Sequence, residues 1–291
     1  MAETSHLFCF GMGYSARVFA RRCREQGWHV TGTSRTEDGV ARIQAAGAEG
    51  LLFDGQDARP ELQQSLQRAT HILVSAGPDD DGDPVLRACS NAIAELQATR
   101  WIGYLSTVGV YGDHDGAWVD EATELRPKSQ RSIRRVAAEN GWLAFTEGKR
   151  WSLQVFRLAG IYGPGRSAVD KLKSGTARRL IKPGQVFNRI HVEDIANVLT
   201  AGVAHEERVG IFNVTDDEPA PPQDVVAYAA ELMNLPEPPD LPFETADLSP
   251  MARSFYSENK RCKNDRIKGE LGARLDYPTY REGLAALVAQ T

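Results

Sequence analysis

Two glycines near the amino end of the chain, separated by one residue, have the clearest chemical implication. The segment Gly11-Met12-Gly13-Tyr14-Ser15-Ala16 follows the apolar run Leu7-Phe8-Cys9-Phe10. Gly11 allows a sharp turn after a strand, and Gly13 lets the backbone approach a pyrophosphate. Ala16 is small enough for the following helix to pack on the sheet. The first amides of that helix would then face the phosphates. The sequence therefore predicts a dinucleotide site that includes Gly11, Met12, Gly13, Tyr14 and Ser15.

The end of the second predicted strand decides which dinucleotide fits. An acidic residue there binds the ribose 2′-hydroxyl of NAD, whereas an arginine accommodates the 2′-phosphate of NADP. The sequence has Ser34 and Arg35 at this place, which favours NADP. In the alternative interpretation Arg35 lies in solvent and Glu37 or Asp38 reaches the ribose, which would favour NAD.

Two later strands also end in residues that suit a cofactor. Asp54 ends the third strand, where its carboxylate could accept a hydrogen bond from the adenine amino group or simply cap the next turn. Ser75, Ala76 and Gly77 end the fourth strand, and their small size would let the cofactor backbone pass close. Ligands bind at this carboxyl edge in such sheets, although a plain loop also explains the three residues.

Short apolar strands alternate with helical stretches through the first half of the chain, which predicts a parallel, doubly wound α/β sheet. We expect strands at 6–10, 28–33, 50–53, 71–76, 101–106, 151–158 and 212–214. We expect helices at 14–26, 36–46, 58–68, 84–98, 129–147 and near 222–234. A basic helical stretch is expected after Gly163-Pro164-Gly165. The predicted organisation is a Rossmann dinucleotide-binding domain over 1–160, to which 187–215 returns, and a smaller C-terminal substrate-binding lobe of 161–186 and 216–291.

Composition argues against several classes of protein. The net charge of −5 disfavours general binding to nucleic acid or to a membrane surface. The four cysteines lie far apart, with no CxxC pair and no histidine at metal-ligand spacing, so we expect reduced thiols and no metal site. No apolar run has the length of a membrane span, and the first strand leaves no room for a signal peptide. We therefore expect a cytoplasmic protein.

With these residues in place, later motifs resemble those of the extended short-chain dehydrogenase/reductase superfamily, in its NAD-dependent epimerase/dehydratase branch. Residues 105–112 are similar to the strand-five motif of that branch, with Thr107 at its catalytic Ser/Thr position. Residues 161–166 and 189–194 resemble two further signatures, and 277–284 resembles the C-terminal end. The resemblance covers nearly the whole chain, because these motifs occur in the order and spacing of the family.

The predicted active-site helix departs from the family pattern, which is Tyr-x-x-x-Lys followed closely by an Ala/Glu pair. Alignment on Ala138 and Glu139 puts Arg131 at the tyrosine position and Arg135 at the lysine position. The resemblance implies that Arg135 binds the nicotinamide ribose. Arg131 stays protonated at any working pH, so it could bind an anionic substrate or stabilise an oxyanion but not exchange a proton. Tyr111 is a further candidate proton carrier, with simple packing in its turn as the alternative.

The phosphate turn also departs from the family, since it reads GxGxxA where extended members have GxxGxxG. The chain therefore resembles an atypical subgroup that lacks the Tyr-x-x-x-Lys pair. The stretch between Arg166 and Arg189 is mostly positive, and in the family this region faces the substrate, often a nucleotide-sugar diphosphate. A basic lining would suit a phosphorylated or carboxylated small molecule, whereas a solvated helix face explains the same charges. The resemblance also implies a homodimer formed by helices that include 129–147.

Two functions are compatible with these residues. An enzyme would bind NADP or NAD and reduce, epimerise or dehydrate a small polar or sugar-nucleotide-like substrate, with Thr107 hydrogen-bonded to the reacting oxygen. A regulator or scaffold would sense the dinucleotide on the same fold without turnover. The missing tyrosine favours the regulator, whereas Thr107 and a complete substrate lobe favour the enzyme.

Overall fold

A seven-stranded parallel sheet forms the centre of the protein in a computed structural model, which describes residues 5–290. The strands are β1 (His6–Phe10), β2 (His29–Ser34), β3 (Glu49–Leu52), β4 (His71–Val74), β5 (Trp101–Thr107), β6 (Trp118–Val119), β7 (Ser152–Leu158), β8 (Gly160–Tyr162), β9 (Arg179–Ile181), β10 (Arg189–His191), β11 (Gly210–Val214), β12 (Asp240–Pro242) and β13 (Arg261–Cys262). The central sheet has the order β11-β7-β5-β4-β1-β2-β3, and the other strands form three small two-stranded sheets.

Helices connect the strands and cover both faces of the sheet. They are α1 (Tyr14–Glu25), α2 (Glu37–Ala45), α3 (Pro60–Gln67), α4 (Pro84–Ala94), α5 (Gln130–Thr146), α6 (Ala168–Lys173), α7 (Val192–Ala204), α8 (Pro222–Leu232), α9 (Pro250–Phe255), α10 (Asp265–Gly269) and α11 (Tyr280–Ala289). A 3₁₀ helix, Val108–Tyr111, follows β5 directly. The expected α/β doubly wound fold is confirmed.

The strand order creates a crevice between β1 and β4. The chain builds outward from β1 to β2 and β3, then crosses back so that β4 pairs with the other side of β1. At such a reversal the connections leave in opposite directions, which opens a cleft at the carboxyl ends of the strands. The turn after β1 and the segment after β4 therefore border the same cleft.

The side chains of β1 alternate between the two faces of the sheet, which explains why a continuous apolar run forms a central strand. Leu7 and Cys9 pack in one hydrophobic cluster, whereas Phe8 and Phe10 pack in another on the opposite face. Successive side chains in a strand point to opposite faces, and a parallel sheet covered on both sides needs apolar residues on both.

The second half of the chain returns to the sheet and also builds a separate packed cluster. Strand β11 pairs with β7 at the sheet edge, and α7 packs on α1, where Arg22 lies 2.6 Å from Glu193. The third hydrophobic cluster joins α6, α8 and α11 through buried side chains that include Val169, Val225 and Leu284. The division into two domains stays a prediction, and its ends at residues 1–4 and 291 lie outside the described residues.

Beyond the Gly163-Pro164-Gly165 break, the expected basic helical stretch is the short helix α6. Helix α6 ends at Lys173, and the chain then forms β9, which pairs with β12. Within residues 5–290 no helix is long and apolar enough to cross a membrane. In the same range, no group of three His, Cys, Asp or Glu side chains gathers as a metal site would require.

A buried ion pair connects the sheet to α5. Arg157 on β7 contacts Glu139 on α5 at 2.7 Å, and both side chains are almost fully buried. The hydroxyl of Ser106 donates to the same carboxylate, and Arg157 also donates to the Tyr111 hydroxyl at 3.0 Å. Strand register places Ser106 beside Arg157, so the pair is held by three elements at once.

We expect that Arg157→Met lowers the free energy of unfolding by about 3–5 kcal/mol, because it leaves the Glu139 carboxylate buried without its partner. Urea unfolding would measure this loss. Arg126→Met is the matched control, since Arg126 pairs with Glu124 in solvent, and its cost should stay below about 1 kcal/mol. Equal costs for the two variants would contradict the structural role of the buried pair.

Candidate functional site

The first glycine of the turn after β1 is required by both its conformation and its contacts. Gly11 has φ of 81°, and a Cβ atom there would lie 3.0 Å from the backbone nitrogen of Ala76. Its own N–H donates to the hydroxyl of Thr33 at 2.8 Å, and the N–H of Met12 donates to the Thr33 carbonyl at 2.9 Å. The turn is thus fixed between β2 and the segment that follows β4.

The second glycine begins α1 and leaves open space in front of it. A Cβ atom at Gly13 would meet no atom within 4 Å, and no side chain caps the helix. Across residues 5–290, no acceptor pairs with the N–H groups of Tyr14, Ser15 and Ala16. Free amides and the positive end of a helix dipole suit a phosphate group, and the open space at Gly13 gives it room.

The residues that would choose between NADP and NAD lie together at the end of β2. Ser34 is half-buried, and its hydroxyl accepts from the N–H of Thr36 at 3.3 Å. Arg35 is exposed, and among the described residues it has no hydrogen-bond or ion-pair partner. Glu37 and Asp38 are exposed in the first turn of α2. Arg35 and these two carboxylates are therefore all open to a ribose bound at the end of β2.

The predicted residues after β3 and β4 have different surroundings. Asp54 is exposed and accepts from the N–H of Gln56 at 3.0 Å, which is the turn-capping role considered from the sequence. The N–H groups of Ser75 and Ala76 both donate to the Phe10 carbonyl at 2.9 Å. This contact brings the segment after β4 against the end of β1, and Gly77 follows it in an exposed position.

A cleft of about 1240 Å³ runs from the start of α1, past the end of β5, to the C-terminal helices. At one end it is lined by Tyr14, Ser15 and Ser75, and in its middle by Thr107, Arg131, Ser132 and Arg135. The far end is lined by residues of β10, α8 and α11 and by the segment 252–260. One continuous cavity therefore joins the start of α1 to the predicted catalytic residues Thr107, Arg131 and Arg135.

Two hydroxyl groups lie together in the middle of the cleft. Thr107 accepts from the N–H of Gly109 at 3.1 Å, and Ser132 accepts from the Ser129 hydroxyl at 2.9 Å. Both oxygens lie within 3.4 Å of the position that a Cβ atom at Gly109 would take. Because each already accepts a hydrogen bond, its own hydrogen remains free to be donated to a ligand.

Arg135 lies where the resemblance places the family lysine, on α5 facing β5. Its Nη1 donates to the Tyr104 hydroxyl at 3.0 Å and to the Leu105 carbonyl at 2.8 Å. Its Nη2 lies 3.1 Å from the position of a Cβ atom at Gly77. The guanidinium therefore spans the ends of β4 and β5 at the cleft wall, and it keeps donors of Nη2 available.

Arg131, one turn earlier on α5, has a different environment. It is exposed, and its guanidinium carbon lies 4.9 Å from the centre of the Phe255 ring, which belongs to α9. No other described residue holds it by a hydrogen bond or an ion pair. A cation stacked on an aromatic ring across a cleft can still contact an anionic ligand.

Tyr111 is placed away from the cleft, which corrects its selection as a candidate proton carrier. Its ring is fully buried, and its hydroxyl donates to Asn213 at 2.7 Å and accepts from Arg157. Burial raises the pKa of this phenol to about 12. The packing alternative considered from the sequence describes it, because its hydroxyl is used within the core.

Of the five positive residues considered between Arg166 and Arg189, only Lys171 and Arg178 line the cleft. Arg179 instead pairs with Asp240 at 2.8 Å. Lys182 donates to the Tyr256 carbonyl, and Lys173 is exposed outside the cleft lining. The basic-lining and solvated-face interpretations are therefore each right for part of this stretch.

Among the polar residues of the cleft that were not singled out from the sequence are Ser132, Arg189 and Lys260. Lys260 is buried, donates to the Gly112 carbonyl at 2.6 Å and pairs with Glu258 at 2.8 Å. Ser132 directly follows Arg131, so helical geometry from the predicted active-site helix could have suggested it. Lys260 could not be placed from the sequence, because it reaches the site through contacts between distant segments.

Arg189 lies at the far end of the cleft, with a buried carboxyl group nearby. Its Nη1 donates to the carbonyls of Phe187 at 2.9 Å and Ala220 at 3.0 Å. Asp216 is buried, and neither of its carboxyl oxygens meets hydrogen-bond geometry with another described residue. Burial, only partly offset by Arg189, raises the pKa of Asp216 to about 8, so this carboxyl is mostly neutral at pH 7.

Several known proteins are similar to this chain. A model of the NAD dependent epimerase/dehydratase family matches residues 11–215. A functionally unknown conserved protein from Silicibacter pomeroyi DSS has a solved structure that is 56% identical, with a TM-score of 0.89 and 99% of both chains covered. Protein YeeZ of Escherichia coli (strain K12) is 29% identical over 285 residues, which cover 92% of this chain and 94% of YeeZ.

More distant structures share the fold. Human epimerase family protein SDR39U1 (isoform2), solved with NADPH, is 15% identical, with a TM-score of 0.75 over 98% of this chain and 100% of that one. Other structures under 25% identical were solved with NAD, and MoeE5 was solved with both UDP-glucose and NAD. At these identities the likeness establishes the fold and says nothing further about this chain.

We expect that Asp216→Asn removes a pH-dependent loss of stability. The folded-state pKa of about 8 lies above the ordinary value of 3.8, so between these values the folded protein holds a proton that the unfolded chain releases. Stability of the parent should therefore fall, relative to the variant, by up to about 1.4 kcal/mol per pH unit as the pH rises from 5 to 7. Urea unfolding of both proteins across this range measures the difference, and parallel curves would refute it.

Proposed function

The chain belongs to the NAD dependent epimerase/dehydratase family, and from this premise we propose that it is a nicotinamide-dinucleotide enzyme that acts on a small anionic substrate. The observation that carries the proposal is the single cleft that joins the open amino end of α1 to Thr107, Ser132 and Arg135. A cofactor held at the first place would extend along the carboxyl edge of the sheet toward the second.

The cofactor site is assigned to the glycine turn and its neighbours. The amides of Tyr14, Ser15 and Ala16 would hold the diphosphate, Gly13 gives it room, and Arg135 would hold the nicotinamide ribose. Bound, the nicotinamide would supply hydride transfer. We propose NADP as the preferred form, because the guanidinium of Arg35 is unpaired among the described residues and is suited to a 2′-phosphate.

At the reacting end, the chain offers hydrogen-bond donors and positive charge instead of a tyrosine. Thr107 and Ser132 would donate to the reacting oxygen of the substrate, and Arg131 would stabilise negative charge that develops on it. A guanidinium is not an acid–base group in proteins, so Arg131 would orient the substrate and stabilise charge without exchanging a proton. We therefore assign proton exchange at this oxygen to water in the cleft.

The substrate class follows from the charge of the cleft. Its lining includes the basic residues Arg166, Lys171 and Arg178 on the side of the C-terminal helices, with Asp170 as the acidic residue in the same stretch. This excess of positive charge favours a carboxylated, phosphorylated or nucleotide-sugar-like ligand.

We also propose that the protein works in the cytoplasm as a homodimer formed through α5, where Ile133 and Leu143 are exposed.

A second candidate function is a dinucleotide-sensing regulator without turnover. The observation that favours it is the replacement of the family tyrosine and lysine by Arg131 and Arg135. In this case cofactor binding would change the protein's affinity for a partner, and the cleft would serve as a sensor.

The experiment that tests the enzyme begins with Gly13→Ala. A methyl group there meets no protein atom within 4 Å, so the free energy of unfolding should change by less than about 0.5 kcal/mol. The same methyl enters the proposed phosphate space, so the affinity for NADPH, followed by fluorescence quenching, should fall by about tenfold or more. Gly11→Ala is the contrast, since its positive φ and close contact should destabilise the fold itself by more than about 1 kcal/mol.

Turnover then separates the two functions. NADPH consumption would be followed with a panel of small carbonyl compounds that carry carboxylate or phosphate groups and with sugar nucleotides. We expect turnover with at least one of them, and a strong decrease of kcat in Thr107→Ala with unchanged NADPH binding. Tight NADPH binding without turnover of any compound would support the regulator, and unchanged NADPH affinity in Gly13→Ala would refute the cofactor site.

We expect that Arg35→Ala weakens NADPH binding by about tenfold or more and leaves NADH binding within about twofold, because only NADPH carries the 2′-phosphate. Dissociation constants from fluorescence titration would measure both. Arg42→Ala is the matched control, since Arg42 is an exposed arginine at the other end of α2. Equal losses for both cofactors would mean that Arg35 does not contact the 2′-phosphate.

A further inference from the structure

We propose that Arg189 binds a carboxylate group of the substrate, and that the rest of this substrate is largely apolar. This inference rests on the proposed function, because it concerns the far end of the same cleft.

The guanidinium of Arg189 is fixed in place on one side only. Nη1 donates to the carbonyls of Phe187 and Ala220, which occupies both of its hydrogens. Nε and Nη2 have no acceptor among residues 5–290. Neither of these two nitrogen atoms is fully buried. Since Arg189 lines the cleft, these donors are accessible from the cavity.

The free edge of this guanidinium has the geometry that suits a carboxylate. Nε and Nη2 carry parallel N–H groups, and the two oxygens of a carboxylate accept from both at once. Because Nη1 is already held by two carbonyls, little side-chain entropy remains to be lost when the ligand binds. A lysine at this place would offer a point charge without this fork.

The guanidinium of Arg189 has no ion-pair partner within the protein. No acidic side chain of the described residues forms an ion pair with it, and burial raises the pKa of the nearby Asp216, which favours the neutral form of that carboxyl. A half-buried cation without a counter-ion carries a desolvation cost. An anionic ligand in the cleft would remove that cost, which favours a charged group over a neutral one.

The walls around Arg189 are mainly aromatic and aliphatic. Tyr162, Tyr256 and Tyr280 lie close enough to influence its ionisation, and all three line the cleft. Helix α8 adds Val225 and Val226 to this wall, and α11 adds Leu284. Such side chains beside the Arg189 guanidinium match an acid whose carboxylate meets the cation and whose remaining atoms are apolar.

Calorimetric titration of the NADPH-loaded protein with benzoate, benzamide and inorganic phosphate tests the assignment. Benzoate and benzamide have nearly the same shape, so their difference isolates the charge. We expect benzoate to bind about tenfold or more tightly than benzamide, and more tightly than phosphate. Equal affinities for benzoate and benzamide, or tighter binding of phosphate, would overturn the assignment without any variant.

Variants locate the interaction. Arg189→Gln should weaken benzoate binding by about tenfold or more, and Arg189→Lys should give an intermediate loss because charge remains without the fork. Arg274→Gln is the control, since Arg274 is exposed outside the cleft, and its effect should stay within about twofold. Equal effects of Arg189→Gln and Arg274→Gln would refute the assignment.

NADPH affinity is measured separately in every variant and should not change. Failure of benzoate binding in a protein that still binds NADPH would therefore refute the carboxylate site alone. If the protein without substitutions does not bind NADPH, the proposed function is refuted instead.

Discussion

The buried contact between Arg157 and Glu139 fixes helix α5 against the sheet in the middle of the cleft. It connects β7 to α5, and the Glu139 carboxylate also receives the hydroxyl of Ser106 at the end of β5. Thr107 follows Ser106 directly, and Ser132 and Arg135 lie on the same helix as Glu139. A small displacement of α5 against the sheet would therefore separate hydroxyl groups that now share one site.

Burial of such a pair is expensive, and this cost clarifies its role. Two charges removed from water lose hydration that their attraction only partly restores, so an apolar pair of similar size could be equally stable. The ion pair sets the position of α5 on the sheet, and an apolar contact would set that position less specifically. Arg157 adds a hydrogen bond to Tyr111, which orders the 3₁₀ helix after Thr107. The buried tyrosine thus contributes to the site by positioning the backbone that carries Thr107.

Much of the fold and of the cofactor end could be predicted from the sequence, because the signals there are local. Apolar runs and the glycine turn specified β1, α1 and the topology between them, and the elements that were expected have boundaries within a few residues of the expected ones. The residues at the far end of the cleft were harder to predict from the sequence. Arg189 and Lys260 reach the cleft through pairings of short strands and loops whose partners are distant in the chain. Arg131 was identified by alignment, but its contact with Phe255 depends on the placement of α9.

Arg131, at the position where the family pattern has tyrosine, belongs to a wider separation of charge in this molecule. The chain has a net charge of −5, yet seven basic and only two acidic side chains line the cleft. Positive charge concentrated in a cavity with low-dielectric walls attracts anions more strongly than the same charges spread over a surface. A tyrosine at position 131 would supply a proton but no charge, whereas Arg131 extends the positive lining across the middle of the cleft. Under the proposed function, the residue change that removes an acid–base group would strengthen the binding of an anionic substrate and the stabilisation of an oxyanion formed on it.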